Sequence, residues 1–121
     1  MANSKVTLRT AALLDASADG TAQDNPYARG AIVNIVTTSK VSAASLTVKL
    51  QGKHNGNGWY DIPGAVTAAI TTEATTTLVV APGVAATANV SVPQHLPRTW
   101  RAVYTIAGGT FVVAAYADLL T

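Results

Sequence analysis

At 121 residues, with 12% of them charged, a net charge of +2 and no cysteine, the chain is long enough for one domain with its own core. An average soluble domain carries about 25% charged residues, so about half the ordinary charge is missing. The lack of cysteine excludes disulfides and every thiolate site. The eight Lys and Arg residues are spread along the chain rather than gathered on one face, so no nucleic-acid partner is expected.

Residues 1–24 lack the basic start, apolar stretch and cleavage site of a signal peptide. No segment approaches the roughly 20 apolar residues needed to span a bilayer. The expectation is a protein made in the cytosol with no membrane partner.

In chain order, Val6 and Leu8 alternate with Thr7 and Arg9, which predicts a half-buried strand over 6–14. A helix over 11–18 is the alternative, because Ala and Leu are good helix formers. Asp19-Gly20 reads as a turn and 21–30 as a loop, with a short strand at 21–24. Residues 31–38 are the most β-branched run and predict a central strand, apolar on both faces except at Asn34.

A small polar connection, 39–45, follows. Residues 46–51 then alternate cleanly, with Leu46, Val48 and Leu50 inward and Thr47, Lys49 and Gln51 outward. The segment 52–58 holds two Asn-Gly pairs, a strong hairpin signal, and returns as a strand over 59–62 that Pro63-Gly64 stops. Residues 65–73 are a strand or an extended loop. A further strand covers 75–80 and ends at Pro82-Gly83, and 84–92 is extended. Residues 99–106 and 111–119, joined by Gly108-Gly109, form a second predicted hairpin.

Seven to eight strands with little room for a helix predict a single all-β domain over 1–121. Its expected form is an antiparallel β-sandwich, either jelly-roll or immunoglobulin-like, with residues 1–5 a candidate N-terminal arm.

Chemistry-bearing constellations are sparse. His54 and His95 fall in separate loops and read as solvent-facing, so no metal site is expected. The carboxylates Asp15, Asp19, Asp24, Asp61, Glu73 and Asp118 show no spacing that would pair them in a cleft. Asp19 and Asp24 read as turn residues, and Asp61 and Asp118 as strand ends. No nucleophile elbow, phosphate loop or dinucleotide fingerprint occurs, so neither an enzyme nor a cofactor is expected.

The adjacent pair Trp59-Tyr60 places one ring on each strand face; it reads as one core ring and one edge ring, or as a sugar platform. In 98–101, Trp100 reads as core, with Arg98 and Arg101 making polar contacts at the rim of the sheet. The pairing of bases with an aromatic there also suits single-stranded nucleic acid.

Taken together, the strand Leu8 to Leu14, the apolar run Ala31 to Val36, Leu46-Thr-Val-Lys-Leu-Gln-Gly-Lys, Gly58-Trp-Tyr-Asp-Ile, Ala81-Pro-Gly-Val, Leu96-Pro-Arg-Thr-Trp-Arg and the closing Phe111 to Tyr116 resemble small β-sandwich virion proteins of tailed bacteriophages. The resemblance covers nearly the whole chain. It implies a capsid decoration, or cement, protein that sits as a homotrimer on the major capsid protein at the virion surface. The family has no catalytic residues to carry over.

Candidate contacts with the shell or a neighbouring subunit are Lys5, Arg9, Tyr27, Arg29, Arg98 and Arg101, in the segments 1–9, 25–30 and 92–101. A tail or baseplate subunit and a carbohydrate-binding module are the alternative readings.

Overall fold

A computed structural model describes residues 4–24, 28–54 and 58–120. The described chain is all-β, with eight strands: β1 (Ser4–Leu14), β2 (Ala18–Asp19), β3 (Gln23–Asp24), β4 (Gly30–Lys53), β5 (Trp59–Val66), β6 (Thr75–Val80), β7 (Ser91–Val92) and β8 (Thr99–Leu120). They join one sheet in the order β1-β8-β4-β6-β7, with β2 and β3 also on β8 and β5 also on β4. All pairings are antiparallel except β6 with β7.

The fold is organised by β4 and β8, 24 and 22 residues long. They pair from Gly30↔Leu120 to Gly52↔Trp100, with register shifts between Thr38 and Val41 and between Ser42 and Ser45. Strands of this length twist and curl, and the irregularities concentrate the bend at one place. Ser39 and Ser42 take φ of 51° and 62°, and Gly108 opposite them takes 76°.

The bend also changes which side chains face inward. Before it, Ala31, Val33, Ile35 and Thr37 of β4 are buried; after it, Ala44, Leu46, Val48 and Leu50 are. Along β8 the buried set changes from Trp100, Ala102 and Tyr104 to Phe111, Val113, Ala115 and Ala117. Side chains alternate along a strand, so this change of parity, odd to even in β4 and even to odd in β8, turns the apolar faces of both halves toward one interior. The buried residues form one continuous cluster. The arrangement is consistent with a β-sandwich in which two strands run through both layers.

Several expectations change. The two predicted strands 31–38 and 46–51 are one strand, with the predicted connection inside it. The 99–106 and 111–119 segments do not form a hairpin: β8 runs straight through Gly108-Gly109, and both halves pair with β4. A methyl on Gly109 would collide with the Val41 carbonyl, so these glycines serve close backbone approach.

Residues 11–14 lie in β1 rather than a helix, and β5 continues through Pro63-Gly64 to Val66. Ser4 and Lys5 already pair with Leu119 and Asp118, so the strand begins inside the predicted arm. Only Ser91 and Val92 of the predicted extended 84–92 are in a strand. The pairing of β4 with β5 is as expected, while the Asn-Gly turn itself falls at 55–57, outside the described residues.

Candidate functional site

Two outer sheet faces differ in chemistry. On the half built from β1, the end of β8, the start of β4 and β6, the outward positions form cross-strand rows. One row is Thr7, Tyr116, Asn34 and Thr77, with the Thr77 hydroxyl donating to Asn34 Oδ1 at 2.7 Å. The next holds Ala114, Val36 and Thr75, and nearer the bend come Leu13, Val112 and Thr38.

At the far end lie Ile32 and Val79 beside Lys5 and Asp118. Those two form an ion pair at 4.0 Å, with the Lys5 side chain 88% exposed. From that pair to the bend, no described outward residue in these rows is charged. Leu13 and Tyr116 are 56% and 44% exposed.

The outer face of the other half is a charged ladder. Arg101 Nη1 lies 3.4 Å from Asp19 Oδ2, and its Nε donates to Gln51 Oε1 at 2.9 Å. The Gln51 amide donates to Asp61 Oδ1 at 2.8 Å, and Lys49 Nζ sits 3.1 Å from the same oxygen. The Arg101 guanidinium carbon rests 4.2 Å from the centre of the Trp59 ring, and Lys53 Nζ lies 5.9 Å from it. The Gln51 hydrogen bond first, and Lys49 second, hold the Asp61 carboxyl below its usual value. The charges here satisfy one another.

The predicted contact residues therefore separate. Arg101 is held within the ladder, its side chain only 18% exposed. Arg9 is directed at its own backbone: Nε donates to the Val113 carbonyl at 3.3 Å and Nη2 to the Leu13 carbonyl at 3.1 Å, across the register shift between Arg9 and Ala12. Lys5, Arg29 and Arg98 are exposed, and Arg98 pairs with Asp24 at 3.3 Å. Tyr27 lies outside the described residues.

Arg29 and His95 line an open cleft of about 530 Å³ whose other walls are Gly30, Ala81, Pro82, Gly83, Val84 and Leu120. It lies at the end of the sheet remote from the bend. The walls are mainly apolar, and no carboxylate stands opposite the imidazole among its lining residues. Among the described residues no three His, Asp or Glu side chains converge as metal ligands do.

Trp100 is core, as expected. Trp59 is half-buried on the outer face and Tyr60 is exposed, so neither ring of the pair is the expected core ring; the indole face of Trp59 is taken by Arg101. Tyr60 packs over Gly52 beside Pro97. Asp19 and Asp24 lie in short strands and act as ion-pair partners rather than turn formers. The sequence reading of 31–38 as apolar on both faces except at Asn34 holds the signal of this uncharged outer face, because Ile32 and Val36 occupy its outward positions with Val112 and Tyr116 of β8.

No protein-family model matches the chain, and comparison with curated proteins and with solved structures finds no match.

Proposed function

We propose that the chain is a virion structural subunit that decorates and cements the head of a tailed bacteriophage. It self-associates as a homotrimer and adheres to the major capsid protein. The observation that carries this reading is the uncharged outer face running from Leu13 and Val112 to Tyr116 and Asn34. Exposed apolar area of this kind marks an interaction surface. Desolvating Thr, Asn, Val and Tyr costs far less than stripping water from unpaired charges.

The rest of the molecule supports the same role. Its core runs through both halves, and the ladder from Asp19 to Lys49 keeps the second face saturated and hydrophilic. Repeated copies of a modest interface give large total stabilisation of a shell through avidity and mass action. The engaged face of Trp59 argues against a sugar-stacking platform, since Arg101 already covers it.

Cryo-electron microscopy of purified virions tests the proposal. The expected result is density for this fold on the outer head surface, with the uncharged face against a neighbour. Density confined to the tail or baseplate, or absence from particles, overturns it.

A further inference from the structure

The two ends of the molecule carry complementary groups that nothing in the chain itself satisfies. At the bend, β1 ends with Leu14 opposite Phe111, and the chain crosses to the other half, where Ala18 pairs with Tyr104. The Ser17 hydroxyl fixes this crossing by accepting from the Ile106 amide at 3.1 Å. Leu13, Asp15 and Ala16 stand exposed along it. At the opposite end, where Gly30 pairs with Leu120, lies the cleft of about 530 Å³ that Pro82, Val84 and Leu120 line together with Arg29 and His95.

The charges single out the same two places. Asp19, Asp24, Asp61 and Asp118 each pair with a cation, and Glu73 accepts from the Lys40 amide at 3.3 Å. Asp15 is the remaining carboxylate and has no partner among the described residues. Of the arginines, Arg9 is spent on carbonyls and Arg98 and Arg101 on carboxylates. The guanidinium of Arg29 has no partner among the described residues. A mainly apolar cleft with a few convergent polar groups is the usual form of a binding site, and an unpaired cation at its wall selects an anion.

We propose that the segment around Leu13 and Asp15 of one copy seats in the Arg29–His95 cleft of a second copy. Leu13 fills the apolar part beside Val84 and Leu120, and Asp15 meets the Arg29 fork, which matches a carboxylate. A second copy is the occupant because this chain supplies both an exposed apolar side chain and, two residues on, the anion that the cleft lacks. The inference rests on the self-association in the function proposed above and gives it a contact. Leu13 also ends the uncharged face, so the contact continues that surface. Two different patches meet, so the contact is heterologous: it closes into a ring such as a trimer where the rotation between copies closes, and runs on as a filament where it does not.

Analytical ultracentrifugation of the full chain tests the contact. Asp15→Arg and Arg29→Asp should each weaken self-association about tenfold or more. The double variant restores opposite charges across the contact and should recover most of the loss. Both positions are exposed, so thermal unfolding of the variants should match the wild type. The absence of cysteine allows a second readout. Leu13→Cys and Val84→Cys proteins, mixed and oxidised, should give a disulfide-linked dimer that neither forms alone.

Self-association that ignores both charge reversals overturns the inference. So does rescue of Asp15→Arg by Lys40→Asp at the bend instead of by Arg29→Asp, because that pairing makes a two-fold dimer that leaves the cleft empty. A wild type that stays monomeric overturns the contact together with the homotrimer. The cement role is read separately, from where density lies on virions, so failure of the contact and failure of that role are distinguishable.

Discussion

Arg101 lies over the Trp59 ring, its guanidinium carbon 4.2 Å from the ring centre, and this contact anchors the charged face. The same side chain reaches Gln51 at 2.9 Å and Asp19 at 3.4 Å, so one residue ties β8 to β4, β5 and β2. A cation over an indole contributes about 0.5–2 kcal/mol, and the Asp19 pair adds little because Asp19 is open to water. Arg101→Ala should lower unfolding free energy by about 1–2 kcal/mol in urea titration and alter Trp59 fluorescence. Arg101→Lys should recover only part of this, since an ammonium lacks the planar fork. Unchanged stability and fluorescence in Arg101→Ala would show that the stack holds nothing.

How much of this was legible in the sequence depended on how local each signal is. The alternation of Leu46, Val48 and Leu50 placed three core residues correctly, and residues 75–80 match β6. Gly108-Gly109 misled because a hairpin turn and a strand bend need the same close backbone approach. Only the pairing partner distinguishes them, and β4 lies more than fifty residues away in the chain. The switch from buried Ile35 to buried Leu46 was readable as a change of parity, but its meaning required knowing that both segments form one strand. Arg9 looked like a free surface cation, because the three carbonyls it faces come from a register shift in β1 and from the distant β8.

The bend should be the least tolerant site in the molecule. A methyl on Gly109 would meet the Val41 carbonyl, and one on Gly108 the Ala43 carbonyl, with Gly108 also at φ 76°. Gly83 shares positive φ, at 85°, but has open space around it. Gly83→Ala should cost about 1–2 kcal/mol, the penalty of left-handed backbone for an L-residue. Gly109→Ala has to displace backbone and should cost at least about 3 kcal/mol or prevent folding. Thermal unfolding of the two variants side by side decides this; equal losses would mean that the bend relaxes freely.

Thr67 closes a gap in the β4–β5 ladder, where the register shifts between Lys49 and Gln51. The Val48 amide donates to Thr67 Oγ1 at 3.1 Å, and the Thr67 amide returns a bond to the Val48 carbonyl at 2.9 Å. Both residues are buried. Thr67→Val keeps the shape but leaves the Val48 amide without an acceptor, costing about 1–3 kcal/mol. Thr67→Ser restores the oxygen and should lose less. Hydrogen exchange at the Val48 amide reads the effect at the bond itself: it should quicken in Thr67→Val and stay slow in Thr67→Ser.

Two groups set opposite pH limits. Asp61 titrates below the ordinary carboxylate value of 3.8, held there first by Gln51 and then by Lys49. A carboxylate depressed in the folded state stabilises the fold above its unfolded value, and that contribution disappears as pH falls below about 3.8. Carboxyl resonances should give an Asp61 midpoint below 3.8 that Gln51→Ala moves upward.

Tyr104 has the reverse sign. Burial pushes its hydroxyl up to about 12 from 10.0, so its neutral form supports the fold below pH 10 and that support is lost as pH rises from 10 to 12. Tyr104→Phe should unfold less readily than the wild type in that alkaline window; identical alkaline profiles would count against the burial effect.

The uncharged face makes a prediction that separates folding from adhesion. Tyr116 is 44% exposed and stands between Thr7 and Asn34 in the middle of its row. A Lys stem can cover much of the surface that the ring covers, so Tyr116→Lys should change unfolding free energy by no more than about 1 kcal/mol. In an interface the same ammonium would be stripped of water opposite uncharged side chains, with no partner to repay the desolvation. Loss of binding to purified shells, or of self-association in sedimentation, is expected with the fold retained. The matched control is Thr105→Lys on the charged half, where the added cation stays hydrated and binding should persist. If Tyr116→Lys assembles normally while Thr105→Lys does not, adhesion belongs to the ladder and the roles of the two faces are reversed.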